Sequence, residues 1–207
     1  EGSLRLCKAG TQLKVGFENI TNYTFLSMRN TLKDSTRVGS ILPSDYTRSV
    51  AVRQASGSVQ VFSATLAQDL KFGPVHWDNE VTYQQSSDQV SLPLPKVSLY
   101  TNLYFLFPIA KVLRVQMGGD MRYFTSYYAP DYSTSVGQFA VQDEQNARIK
   151  VGNYPIVNVY INLHLKNCRL YVAMNHVNQG TGRAFWAPHY PINPRTFHFG
   201  LSWNFFN

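Results

Sequence analysis

From Tyr154 to Lys166 apolar and polar side chains take turns: after Ile156 and Val157, the residues Val159, Ile161, Leu163 and Leu165 interleave with Asn158, Tyr160, Asn162, His164 and Lys166. A period of two sends successive side chains to opposite faces of an extended strand. Beyond Lys166-Asn167 the alternation resumes, with Cys168, Leu170, Val172 and Met174 set against Arg169, Tyr171, Ala173 and Asn175. Only a two-residue reversal separates these runs, so they predict an antiparallel hairpin. The same pattern recurs in Phe197 to Phe205, Leu113 to Tyr123, Val97 to Phe105, Val75 to Tyr83 and Phe62 to Phe72. Toward the N-terminus it continues in Ser3 to Lys8 and in Thr11 to about Leu26. These runs predict nine strands.

The connections fall into two classes. Short ones lie near Ala9-Gly10, Gly73-Pro74, Pro108 to Lys111 and Lys166-Asn167, and long polar ones run Arg29 to Gly57, Ser87 to Pro95, Ser126 to Asn153 and Gln179 to Arg195. They alternate along the chain, which predicts an up-and-down antiparallel sheet with short turns at one end and long loops at the other. That asymmetry is the pattern of an outer-membrane barrel, with periplasmic turns and extracellular loops.

Composition narrows the classes. Aromatic residues make up 14% and charged residues 15% of the 207 positions, against roughly 25% charged in average soluble domains. Low charge with many aromatics opposes disorder. No run of roughly 18 apolar residues occurs, so a transmembrane helix is excluded. The net charge of +7 is scattered without a basic block, and nucleic acid is not expected as a partner. Cys7 and Cys168 lie far apart and form no CxxC pair, against a disulfide framework and a zinc site.

Alternation alone leaves a membrane barrel and a soluble all-β domain both open, because either has one apolar and one polar face. Strand length favours the barrel: several segments run well beyond the usual 5 or 6 residues and approach the span of a tilted transmembrane strand. The polar faces carry charges of both signs that suit a water-filled lumen. Its expected lining is Lys14, Lys71, Arg114, Arg122, Lys166 and Arg169 with Glu18, Asp69, Asp78, Glu80 and Asp120, nearly balanced at six basic against five acidic. The loop Arg29 to Gly57 holds five basic and two acidic residues, which predicts a mild anion preference set at the outer mouth. Aromatics fall at two levels, as interfacial girdles require. Tyr123, Tyr127, Tyr128 and Trp186 lie near the long loops, and Phe72, Trp77, Trp203, Phe205 and Phe206 near the short turns.

Seven stretches also resemble one family in order: HWDNEVTYQ (His76 to Gln84), LPLPKVSLYTNLYF (Leu92 to Phe105), DMRYFTSYYAPDY (Asp120 to Tyr132), GNYPIVNVY (Gly152 to Tyr160), HVNQG (His176 to Gly180), PHYPINPR (Pro188 to Arg195) and FGLSWNFFN (Phe199 to Asn207). They are similar to the C-terminal region of the putative porin family of Bacteroidota outer membranes, whose members are longer. The resemblance implies a transmembrane β-barrel, of which residues 1–207 form one C-terminal segment, located in the bacterial outer membrane and surrounded by its lipid. It further implies a water-filled pore for passive passage of small solutes. It also implies that Thr196 to Phe206 is the strand read by the barrel-assembly machinery. A barrel serving as anchor or subunit of an export or adhesion assembly is the alternative, and a soluble carbohydrate-binding β-domain a more distant one. Nine strands, with the C-terminus taken as periplasmic, leave the barrel incomplete and call for at least one strand before Glu1.

No reactive constellation stands out. The five histidines form neither HxxxH nor HxH, Asp78 and Glu80 share one strand face rather than converging across a cleft, and no GxSxG, phosphate loop or dinucleotide fingerprint occurs. The expectation is a chain without catalytic site, metal or cofactor.

Overall fold

A computed structural model describes residues 2–6, 10–32, 46–143 and 148–205. Nine strands form one open antiparallel sheet. In spatial order they are β1 (Gly2–Leu6), β2 (Thr11–Ile20), β5 (Val59–Phe72), β6 (Val75–Ser86), β7 (Val97–Ile109), β8 (Leu113–Phe124), β11 (Ile156–Leu165), β12 (Cys168–Asn175) and β15 (Thr196–Trp203). Each of the nine predicted runs contributes one of these strands, and every neighbouring pair is antiparallel. β1 and β15 are the edges, and the described strands do not close on themselves. Cys7, Lys8 and Phe206 lie outside the described residues.

Tight turns join the strands at one end. The β5 to β6 reversal is Gly73-Pro74, where Gly73 takes φ of 60°, a left-handed value that glycine adopts without a Cβ penalty. The β11 to β12 turn is Lys166-Asn167, as the alternation predicts. Pro108 and Ile109 still belong to the ladder, paired with Arg114 and Leu113, so the β7 to β8 turn is Ala110 to Val112 rather than Pro108 to Lys111.

At the other end three of the four long connections contain strands that the alternation does not predict. Residues before and within Arg29 to Gly57 form β3 (Thr24–Leu32) and β4 (Tyr46–Gln54), and Ser126 to Asn153 contains β9 (Asp131–Ser133) and β10 (Gln138–Gln142). These four make a second sheet in the order β4-β3-β10-β9, and β13 (Phe185–Ala187) with β14 (Tyr190–Pro191) make a third. β2 ends at Ile20 rather than continuing to Leu26 because Asn22 turns left-handed, with φ of 56°, and sends the chain out of the main sheet.

The register aligns the alternation of every strand. Counting across from β2 to β15, Leu13, Leu66, Val81, Leu99 and Tyr123 stand in one row. Phe105, Met117, Ile161, Val172 and Phe199 stand in another on the same face. From β2 to β15 this face carries no charged residue: Lys14, Glu18, Asp69, Lys71, Asp78, Glu80, Arg114, Asp120, Arg122, His164 and Arg169 all take the opposite one. Apart from the buried Val115, the apolar face is also uncovered, with Phe199 73% and Leu201 65% exposed. Most buried residues instead lie where the long connections pack, among them Met28, Ala129, Ala140, Val151, Tyr154, Ile156 and Ile192.

Candidate functional site

The polar face is held together by hydrogen bonds that step from strand to strand. Asn158 donates to Asp120 Oδ1 at 2.9 Å across β11 and β8, and Asn162 donates to Gln116 Oε1 at 3.1 Å lower on the same pair. The Tyr160 hydroxyl reaches over β8 to donate to Asn102 Oδ1 on β7 at 2.9 Å. It passes beside Gly118, where a Cβ would stand 2.5 Å from the Cβ of Tyr104. The glycine therefore leaves room for two tyrosines to lie on one row. Arg122 sits over the Tyr100 ring at 5.6 Å, His76 stacks on Tyr104 at 4.9 Å, and the Thr65 and Thr82 hydroxyls are 3.0 Å apart. The result is a wide surface of hydroxyls, amides and mixed charges.

The charges are not evenly mixed. Asp69, Asp78, Glu80 and Asp120 occupy β5, β6 and the upper part of β8 with Lys71 and Arg122 among them, whereas Arg114, His164 and Arg169 stand in one row on β8, β11 and β12 beside the short turns with no acid beside them. Lys166, expected to line the lumen, sits in the two-residue turn with φ of 47° instead of on a strand face.

Above this surface the long connections dock together as a cap. β10 runs parallel to β3, pairing Val141 with Ser27 and Gln142 with Met28. The pairing is locked by Arg53, whose guanidinium lies 3.1 Å from the buried Asp143 carboxylate. His189 of the β13 to β14 hairpin stands 3.2 Å from the buried Asp131 of β9, and Tyr190 packs edge-on against Tyr132. At the foot of the cap Tyr154, Ile156 and Ile192 cluster, and the Tyr154 hydroxyl lies 2.7 Å from Nε2 of the buried His176. The His176 Nδ1 is 2.7 Å from the Asn193 carbonyl, and the Asn178 side chain accepts from the Val157 amide and donates to the Pro155 carbonyl.

That packing relocates part of the expected upper girdle. Tyr123 is on the apolar face opposite Leu99, but Trp186 stacks on Phe124 at 6.3 Å, and Phe124 belongs to the polar face. Trp186 thereby helps form a cleft of about 410 Å3 with Glu80, Tyr100 and Arg122. The cause is local: Ala187, Pro188 and Ile192 are buried, so the hairpin that carries Trp186 folds over the polar side. Tyr127 meets Phe124 edge-on, and burial raises its phenol above the ordinary range. Tyr128 is covered by Arg148 and Lys150, with the Arg148 guanidinium 3.9 Å from the ring centre. Of the lower girdle, Phe72, Trp77, Trp203 and Phe205 are exposed, and the first three stand on the apolar face by register.

The fold and its two faces can now be set beside known proteins. A family model described as a putative porin matches residues 1–207. The chain belongs to the putative porin family. No curated protein and no solved structure matches it. For a porin-family chain the informative residues are therefore its own: the uncharged outer rows, the hydrogen-bonded polar face and the docked cap. The cap is what sequence reasoning missed. Its short strands, of two to five residues in β9, β10, β13 and β14, are too brief for a period to register. The described residues contain no cluster of three or more His, Cys, Asp or Glu able to hold a metal ion.

Proposed function

We propose that this porin-family chain is a segment of an outer-membrane β-barrel whose apolar face meets lipid and whose polar face lines a water-filled pore for passive passage of small solutes. The observation that carries the reading is the partition of charge. From β2 to β15, rows of Leu, Val, Phe, Trp and Met on one face are uncharged and, Val115 apart, not buried, while every charged residue of these strands takes the other. In water such a face would be driven to bury itself; in lipid it needs no cover. Strands β5 to β8 have 12 to 14 residues, enough to cross a bilayer when tilted. Mid-strand on the apolar face one polar chain is satisfied locally, as hydrocarbon demands: Trp77 donates to Thr101 Oγ1 at 2.8 Å and Thr101 to Asn79 Oδ1 at 2.7 Å.

The cap then restricts access from the long-loop side, with Trp186 over the polar face, and the reading gives no residue a catalytic role. Among the described residues β15 pairs on one side only, with β12. Its free edge supports recognition by the barrel-assembly machinery through strand addition. Planar-bilayer recording on the full-length protein tests the proposal. Stable conductance steps are expected, enlarged by Trp186→Ala. A protein that inserts and folds yet conducts nothing is an anchor or assembly subunit, and one that is soluble without detergent overturns the membrane reading.

A further inference from the structure

Beside the short turns, Arg114, His164 and Arg169 occupy one row on three adjacent strands, since Arg114 pairs with His164 and His164 with Arg169. They line an open cleft of about 430 Å3 on the polar face whose other walls include Asn167, Ser202 and Asn204 and no carboxylate. Arg114 and Arg169, two strands apart in this row, set two like charges about 10 Å from each other on one face. Nothing among the described residues offsets them: neither arginine has an ion pair, and the nearest carboxylate along β8, Asp120, lies six residues up the strand, about 20 Å away at strand rise. Elsewhere on the same face the design differs, with Arg122 stacked on Tyr100 and Asp120 bonded to Asn158. The lysines of the two adjoining turns, Lys111 and Lys166, add positive charge at the rim.

We infer that this cleft is a binding site for a doubly charged oxyanion of the phosphate type, held between the Arg114 and Arg169 side chains with His164 between them. Strands two apart are separated by about 10 Å, so two guanidinium forks converge on one ligand from either side. A tetrahedral dianion offers oxygens to both forks, whereas a monocarboxylate fills only one. Amide and hydroxyl groups of Asn167 and Ser202 supply the remaining polar contacts. The inference deepens the pore reading, on which the ligand's route to the cleft rests, and it places the anion preference at the short-turn end rather than at the loop mouth.

The test is equilibrium dialysis of radiolabelled inorganic phosphate against the purified full-length protein in low-salt detergent, beside conductance recording. Saturable binding is expected, competed by pyrophosphate and weakly by acetate. The double variant Arg114→Gln with Arg169→Gln should weaken it about tenfold or more, each lost partner being a charge-assisted contact. Arg195→Gln, at the opposite end, should leave it unchanged. Competition by glycerol phosphate identifies a soluble phosphate ester as the source, and competition only by short-chain phosphatidic acid a lipid headgroup; either supports the site. Absence of saturable binding, or equal affinity in the folded double variant, overturns it. Binding without conductance overturns the pore reading alone, and conductance without binding overturns this inference alone.

Discussion

Ile161, in the middle of β11, is 40% exposed, whereas Tyr154, two residues before that strand begins, is only 5% exposed. The two belong to regions built on opposite rules. In the sheet, backbone groups are satisfied strand to strand and the large apolar side chains point outward uncovered. In the cap, small and medium apolar residues are buried, and the polar groups buried with them, Asp131, Asp143 and His176, each have a partner. A region that hides its hydrophobes is solving the problem of water, and a region that displays them is, on the proposed pore reading, fitted to an apolar solvent. One chain uses both solutions, and the switch falls where the strands meet their long connections.

The sharpest way to break this contrast is to place a charge on each face of one strand. Leu66 and Thr65 are neighbours in β5, the first on the uncharged face and the second on the polar one. Leu66→Arg should cost about 2–4 kcal/mol near the bilayer midplane and largely abolish recovery of heat-modifiable protein from outer membranes. Thr65→Arg should leave recovery near normal. Equal recovery of the two variants would remove the distinction between the faces, and with it the lipid assignment.

Much of the sheet was legible because its period of two runs over long segments and its charges obey it. From Thr196 to Trp203 every second residue is apolar, and the partner strand β12 repeats the pattern in register. The cap was not legible for two physical reasons. Apart from β3 and β4 its strands are short, and its stability comes from contacts between segments far apart in sequence, such as Arg53 with Asp143 and His189 with Asp131. Trp186 shows the consequence, since proximity to a strand end suggested a girdle position while burial of Ile192 beside Ile156 decides the opposite side. The charges of the polar face teach the same lesson. Their numbers nearly cancel in the sequence, and only the register reveals that Arg114 and Arg169 stand in one row with His164 and no acid, while the acids elsewhere on the face have Lys71 or Arg122 nearby.

The next test stays within the cap. Tyr154→Phe removes the hydroxyl that lies 2.7 Å from His176 Nε2 and donates to the Asn178 carbonyl at 2.9 Å. A buried histidine left short of a partner costs about 1–3 kcal/mol. The loss should fall on the cap: hydrogen exchange should quicken around Asn178 and Ile192, with the amides of β6 to β8 unchanged. Quickening spread evenly over the sheet would show that cap and sheet fold as one unit.

A smaller effect is expected from Arg53→Ala. The guanidinium is about half exposed while Asp143 is buried, so solvent already screens part of the attraction and the loss should be roughly 1 kcal/mol. It should appear as faster exchange at Val141 and Gln142, where β10 meets β3. Raising the salt concentration should shrink the difference between wild type and variant, since the pair is partly screened from the start. Salt-independent exchange would point to packing of the arginine stem instead.

The smallest effect concerns Asp88, in the connection between β6 and β7. Burial alone would raise its carboxyl, but hydrogen bonds from the Ser91 side chain and from the Ser91 and Val90 amides outweigh this and lower it below the ordinary 3.8. The amides lie 3.1 and 2.9 Å from Oδ1. Because the folded value is the lower one, the carboxylate's contribution is fully present above the unfolded pKa and is lost as pH falls through the folded value. The turn should therefore hold at neutral pH and loosen only in acid, while the strands on either side keep their ladder. Following the Val90 and Ser91 amide resonances against pH in detergent should give a shared midpoint below 3.8. In Asp88→Asn the transition should disappear. A wild-type midpoint at or above the ordinary aspartate value would mean that these hydrogen bonds do not hold the charge, and that the turn is kept by the buried Ser86 and Ser91 instead.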